Sequence, residues 1–388
     1  MGDEQRETKP LTWVDDEPGL ARLVDTLGAL PRFAIDTESN SMHVYAERIC
    51  LVQVSTEEGD TIIDPLAVDL TPLGKVIADP AVEKVMHGAD YDVMCFKRGY
   101  DFEFAGLFDT MLAERVLGRS KYGLAALLSE HFGFAADKKM QRFDWGRRPL
   151  PQSAIEYARY DTHFLLTLRE KQLAALHAAD RYEDHVHACE RQTQVVPKVR
   201  PFDSAAFWKI KGARKLTGSA PAVLHELFVL RDVLAKRFDR PHFRIANDAA
   251  LLELARAQPA DSTALAATFD RARGVHPRVR RQHAGLVLEA VARGVDGRTP
   301  PALVRLPTPP RAVVDRVDAL RGWRKRVAEA RGVEPDIVLG KATLMAVAEL
   351  APPDLETLRD AGLLDAWELG RYGEGVVACL NGRKSAKG

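Results

Sequence analysis

Four carboxylates and one phenol are spaced in this chain as groups that could act together on a phosphodiester. Asp36 and Glu38 end the apolar run Phe33-Ala34-Ile35, Asp92 follows the short apolar segment Lys84-Val85-Met86-His87, and Tyr157 and Asp161 lie four apart. Strand side chains alternate faces, so Asp36 and Glu38 project from the same side. Two like charges at the end of a buried run repel each other, and desolvation worsens the repulsion. Alone, such a pair is most simply a solvated strand end; with further carboxylates nearby it suits a divalent cation. Phosphodiester hydrolysis needs an activated water, in-line geometry and stabilised charge on the leaving oxygen. Two ions, Mg²⁺ or Mn²⁺, about 3.5–4 Å apart supply all three, and hard cations take oxygen ligands such as three Asp and one Glu.

Bringing these groups together requires a sheet with helices across its end. Residues 11–30 read as a strand and a helix, with Asp15 and Asp16 available as caps. Apolar segments at 33–36, 49–55 and 61–64, separated by turn-like stretches such as Glu57-Glu58-Gly59-Asp60, predict an antiparallel meander. Helices then alternate with short strands: a strand at 84–87, a helix at 90–97, a strand end at Phe108-Asp109, and helices at 111–117 and 122–132. A meander followed by β/α alternation predicts a mixed sheet flanked by helices. Pro149-Leu150-Pro151-Gln152 halts the chain before a helix expected to run to about residue 179. Ser153 and Glu156 fit a capping box at its start, which places Tyr157 and Asp161 on one face.

The 388 residues exceed one ordinary core and predict two or three domains. No apolar run approaches a membrane span, and Met1-Gly2-Asp3-Glu4-Gln5-Arg6 lacks the apolar stretch of a signal peptide. Cys50, Cys95, Cys189 and Cys379 are scattered, which argues against a zinc site or disulfide framework and suits a reducing cytoplasm. The zero net charge conceals an asymmetry: 24 Lys and Arg against 33 Asp and Glu in residues 1–200, then 31 against 22 in the remainder. That is compatible with a metal-rich domain joined to an anion-binding one, or with two domains attracting each other.

After residue 205 strand patterns vanish. Helical periodicity recurs at 224–238, 248–257, 264–269 and 283–295, and again at 313–331, 341–349, 355–361 and 364–380. The similar order suggests a duplicated module. The resulting division is a disordered N-terminus (1–10), an α/β domain (11–205), a helical bundle (220–297), a Pro-rich linker (298–310), a second bundle (311–381) and a basic tail (382–388).

Phe33-Ala34-Ile35-Asp36-Thr37-Glu38, Val85-Met86-His87-Gly88-Ala89-Asp90-Tyr91-Asp92 and Tyr157-Ala158-Arg159-Tyr160-Asp161 resemble the three motifs of the DEDD exonuclease superfamily, the last marking its tyrosine subfamily. Cys50-Leu51-Val52-Gln53-Val54-Ser55 and Asp144-Trp145-Gly146-Arg147-Arg148-Pro149-Leu150 resemble the ribonuclease D branch. The segment from Leu224 through Asp248 to His283 is similar to an HRDC domain, and residues 311–380 to a diverged second copy. The resemblance implies an α/β RNase H-like exonuclease domain followed by two all-α HRDC helical bundles. It also implies roles. Asp36, Glu38 and Asp161 would hold the ion that binds the attacking water, Asp36 would bridge to a second ion, and Asp92 would act on that ion directly or through water. Tyr157 would orient the water, since a phenol titrating near 10 remains a donor at neutral pH. Motif spacing favours Asp92 over Asp90, and two helical residues so placed point about 200° apart.

Substrate contacts are expected from Met42, His43 and Tyr45 after the first motif, and from His87, Lys138 and Arg147. In the first bundle Arg271, Arg273, Arg278, Arg280 and Arg281 surround Gly274 and Pro277; Arg278 and Arg281 are candidate backbone contacts. The implied activity is a metal-dependent 3′→5′ exoribonuclease that trims structured RNA such as tRNA precursors, with no membrane association and no obligate protein partner. A DNA exonuclease of the same subfamily is the first alternative, because no residue reports a 2′-OH contact. A non-catalytic RNA-binding scaffold is the second, though a fold freed from metal binding has no reason to keep so costly a carboxylate cluster.

Overall fold

The computed structural model describes residues 9–135, 140, 142–197, 201–297, 299–303 and 307–382. The expected disorder of residues 1–8, the candidate contact Lys138 and the basic tail 383–388 lie outside the described residues.

Six strands form one sheet: β1 (Leu11–Val14), β2 (Arg32–Ser39), β3 (Ile49–Ser55), β4 (Asp60–Ile63), β5 (Glu83–Met86) and β6 (Leu107–Asp109), in the order β1-β4-β3-β2-β5-β6. β2, β3 and β4 make the antiparallel meander, while β1 joins β4, and β5 joins β2 and β6, in parallel. The sheet is therefore mixed, as the pattern predicts. Ala34, Asp36 and Glu38 on β2 stand opposite Ser55, Gln53 and Leu51 on β3, so all six share one face. Helix Gln152–His163 covers that face, where Leu51 packs with Trp145, Ala154 and Ala158. On the other face Phe33, Ile35, Val52 and Val54 meet Leu20 and Leu27 of helix Glu17–Gly28 and Val93 and Phe96 of helix Asp90–Tyr100. Each large apolar side chain buried there contributes about 1.5–3 kcal/mol.

Two local expectations need correction. The N-cap of helix Gln152–His163 is Pro151, not Ser153. Proline's fixed φ sets the first turn two residues earlier, and the Pro151 carbonyl accepts Ala154 N at 2.9 Å, so Ser153 and Glu156 form no capping box. The helix also does not continue to residue 179: it ends at His163, and helix Leu165–Ala178 follows. Phe164 sits at the break, its ring against Phe132, Phe134 and Tyr160. The break lets the first segment lie on β3 and β4 while the second packs on helix Thr110–Val116 and β5.

The first bundle contains helices Ala220–Phe238, His242–Ile245, Asp248–Ala257, Ser262–Arg271, Pro277–Gln282 and Ala284–Val295. The second contains Arg311–Arg331, Pro335–Val338, Lys341–Leu350, Leu355–Asp360 and Ala366–Leu380. A long helix, a one-turn helix and three further helices recur in the same order, the first bundle adding Pro277–Gln282, and Asp261 and Asp354 cap equivalent helices. Phe207, Ile210 and Ala213 join the first core, so that bundle begins upstream of residue 220.

Both bundles dock on the α/β domain. Tyr45 enters the first: its hydroxyl donates to Asp232 at 2.7 Å and its backbone N–H to Asp239 at 3.0 Å. In the second, Arg115 pairs with Glu334 and Asp336, Arg331 with Asp184, and His187 stacks on Trp367 at 4.2 Å. Among the described residues no helix is long and apolar enough to cross a membrane.

Candidate active site

The carboxylates meet at the end of β2. Asp36 and Glu38 face helix Gln152–His163, which carries Tyr157 and Asp161. Asp92 arrives from the opposite side of the sheet, on the first turn of helix Asp90–Tyr100. Thr37, whose side chain alternates to that side, donates a hydrogen bond to Asp92 Oδ1 and ties this helix to the strand end.

The charges perturb one another as a group. Burial, then Asp92, Asp161 and Glu38, raises the Asp36 carboxyl well above its ordinary value. Burial, Asp161 and Asp92 do the same to Glu38. Burial and Asp92 push Asp161 up to about 7. Asp92 also reaches about 7, chiefly through burial, although the Thr37 hydrogen bond opposes the rise. Asp90 is exposed and appears among the influences on Asp92 alone of the four, so Asp92 is the member facing the cluster.

These residues suit divalent ions on two grounds. Four mutually repelling, desolvated carboxylates are hard oxygen donors in need of positive charge. Beside them Gln53, directly across from Asp36, is 1% exposed, and neither of its amide atoms has a hydrogen-bond partner. A buried amide left unpaired costs about 1–3 kcal/mol, so Gln53 is matched to something polar at this position. Sequence reasoning assigned it no role; its signal was a polar residue in the middle of a strand otherwise built for burial.

Tyr157 is half-buried against Trp145, with ring centroids 6.1 Å apart. The far end of its helix is fixed by a buried network. Asp60 on β4 receives Arg159 Nε at 2.5 Å, His163 Nδ1 at 2.7 Å and Ser55 Oγ at 2.7 Å. Burial pushes the Asp60 carboxyl up, but these hydrogen bonds outweigh it and leave it below the usual range. Asp60→Asn strands Arg159 inside the fold, and a loss of about 3 kcal/mol or more is expected. The urea midpoint measures it, and a shift under 1 kcal/mol would show that the network does not anchor the helix.

The other candidates lie in varied settings. Tyr45 is taken up by the first bundle, with His242 edge-on at 5.3 Å and the Lys236 ammonium 5.5 Å from its ring, so the expected stacking of Tyr45 on a nucleotide gives way to interdomain packing. His43 Nε2 lies 3.1 Å from the Arg142 carbonyl, and Met42 is 39% exposed. His87 shares a hydrogen bond with Thr110 at 2.9 Å, and burial lowers its pKa. Arg147 is exposed, whereas its neighbour Arg148 binds Asp64 and the Cys50 carbonyl and so fixes the loop. In the basic loop Arg271 and Arg280 are paired with Glu253 and Asp270; Arg278 and Arg281 are exposed.

A separate trio, His187, Asp365 and Glu368, has ligand atoms within 4.8 Å of one another. Glu368 is already paired with Arg191 at 3.2 Å, and Asp365 caps helix Ala366–Leu380, whose positive N-terminal end disfavours a cation. His187 meets Asp365 at 2.5 Å and Arg191 meets Glu368, so these groups tie the exonuclease domain to the second bundle.

Family models place a 3′–5′ exonuclease over residues 11–176 and HRDC domains over 220–291 and 314–380. Ribonuclease D of Pseudomonas paraeruginosa is 31% identical over 378 residues, covering 95% of this chain and 97% of its own. An exosome complex component 10 homolog of Caenorhabditis elegans is 35% identical over 262 residues, covering 65% of this chain; the match spans 29% of that relative's length. The crystal structure of the catalytic core of RRP6 from Trypanosoma brucei superposes with a TM-score of 0.68 at 26% identity, covering 75% of this chain and 81% of that one. Matched along nearly its whole length, the chain belongs to the ribonuclease D family, with a 3′→5′ exoribonuclease domain followed by two HRDC domains.

Proposed function

We propose that the enzyme trims 3′ ends of structured RNA, such as tRNA precursors, in the cytoplasm, and releases 5′-mononucleotides with the help of two Mg²⁺ or Mn²⁺ ions. The observation that carries this reading is the mutual perturbation of Asp36, Glu38, Asp92 and Asp161 beside a helix that also bears Tyr157. Bound divalent ions supply an activated water and offset charge on the leaving oxygen. Asp36, Glu38 and Asp161 are the residues that would hold the first ion, with Asp36 and Asp92 for the second. Tyr157 orients the attacking water through its hydroxyl and excludes bulk solvent with its ring. His43, Met42, Arg147, His87, Arg278 and Arg281 are candidate substrate contacts.

Tyr157→Phe should slow turnover about 100-fold, the low end of the range for losing one positioned proton-handling group. Metal affinity by calorimetry should stay within two-fold of the parent; a large loss of affinity would instead make Tyr157 part of the ion site. The substrate class is tested with a 3′-tailed tRNA and a single-stranded DNA of equal length, each with and without Mg²⁺ or Mn²⁺. Preferential shortening of the RNA from its 3′ end supports the proposal, and preferential shortening of the DNA overturns it.

A further inference from the structure

The seam between the exonuclease domain and the first HRDC bundle carries exposed apolar side chains beside arginines. Phe243, on the one-turn helix His242–Ile245, is 51% exposed, and Met42 on the loop after β2 is 39% exposed. Arg244 joins them: its guanidinium lies 5.9 Å from the Phe243 ring centre, and its Nε donates to the Met42 carbonyl at 2.9 Å. One residue further along the loop, the His43 carbonyl accepts from Arg240 at 3.3 Å. A cavity of about 230 Å³ opens at this seam, lined by Asn40, His43 and Arg48 from the catalytic domain and Arg240 from the bundle. Asn40 is two residues beyond Glu38, so the cavity adjoins the strand end that bears the carboxylates.

The charge here has one dominant sign. Arg237, Arg240, Arg244 and Arg278 are all exposed, and the histidines among them, His276 and His283, are held below their ordinary pKa by burial and by these arginines. Asp239 and Asp144 also line the cavity; Asp239 is engaged with Tyr45 N, and Asp144 lies 3.7 Å from His43. An exposed aromatic ring flanked by arginines matches the chemistry of single-stranded nucleic acid, whose bases stack on flat apolar surfaces while phosphates seek cations. A protein partner would be expected to bury a larger continuous apolar area than one phenylalanine and one methionine offer.

We propose that Phe243 and Met42 form a stacking step for an unpaired nucleotide upstream of the RNA 3′ end, with Arg240 and Arg48 binding the adjoining phosphates. The first HRDC bundle thereby completes the substrate channel and sets how long a single-stranded tail must be for full affinity. This inference rests on the exoribonuclease reading, and its test separates the two.

The test uses the full-length Asp161→Asn protein, which retains the seam and does not cleave, with Mg²⁺ and a hairpin RNA bearing a ten-nucleotide 3′ tail. Each tail position in turn carries 2-aminopurine, whose fluorescence is quenched by stacking. Phe243→Ala should weaken binding about ten-fold, within the range for losing one base-stacking contact, and should relieve quenching at one internal position. Phe243→Trp should restore both. Arg240→Ala should weaken binding and flatten its salt dependence by about one counterion, as for a lost phosphate contact. Binding and quenching of Phe243→Ala within two-fold of the parent would overturn the stacking step while leaving the exoribonuclease reading intact. Failure of the parent protein to bind the tailed RNA would overturn both.

Discussion

Asp36→Ala and Asp161→Asn should each lower kcat at least a thousand-fold while leaving the fold intact. A thousand-fold loss is about 4 kcal/mol of transition-state stabilisation, within what metal-assisted charge neutralisation provides. Asp36 is the sharper case, because it is strongly influenced by all three of its carboxylate neighbours and sits at the centre of the group. The same crowding fixes the sign of the stability effect. Removing one of four crowded, partly buried, repelling carboxylates relieves the others, so in the presence of EDTA each variant should melt at or above the parent's temperature. With Mn²⁺ the order should reverse, because the parent gains stability from binding and the variants gain less. Single-turnover kinetics and paired melting curves make both measurements. An Asp36→Ala enzyme with Mn²⁺-dependent activity within ten-fold of the parent would remove the carboxylate cluster from the mechanism.

The second large effect is on pH. Asp92 and Asp161 titrate near 7 in the fold, against about 3.9 in an unfolded chain. Between those values the folded state holds more protons, so stability of the metal-free protein falls as pH rises from about 4 toward 7 and is lowest above 7. Ions must displace those protons, and those held on Asp36 and Glu38, so apparent metal affinity should rise with pH at least up to about 7. If both groups release a proton on binding, the dependence approaches a hundred-fold per unit below pH 7. The difference in melting temperature with and without Mn²⁺ should therefore widen from pH 5 to pH 8. Calorimetry in two buffers of different ionisation enthalpy counts the protons released, and a count near zero at pH 6 would show that the cluster is already ionised without metal.

Much of this was legible in the sequence because it is local. The run Phe33-Ala34-Ile35 before Asp36 specifies a buried strand ending in charge, and the alternation of short strands with helices specifies the mixed sheet. The helical bundles were readable from three- and four-residue apolar spacing, including the duplication. Signals weakened where two local rules competed. Ser153 and Glu156 make an acceptable capping box, but Pro151 sets the helix start first, and only the packing of Phe164 against Phe132 and Phe134 determines where the helix breaks. Contacts between distant segments left no trace: Tyr45 reads as an aromatic near the site, and only the tertiary structure seats it against Asp232, 187 residues away. Gln53 had a local signal, a polar residue in a buried strand, but its place opposite Asp36 depends on strand register.

Gly118 lies so close to the second bundle that a Cβ on it would fall 2.0 Å from the Gly332 carbonyl oxygen, and its φ of +77° is itself one that side chains rarely adopt. Gly332 is the left-handed cap of the second bundle's long helix; in the first bundle the equivalent cap is Asp239, which holds Tyr45. The two copies thus press the same corner of their fold against different parts of one catalytic domain. After duplication that corner took on two different tasks, a carboxylate that holds Tyr45 in one copy and a backbone carbonyl set against Gly118 in the other. The modules are consequently no longer interchangeable: a chimera carrying the second copy in the first position would lack the carboxylate that receives the Tyr45 N–H.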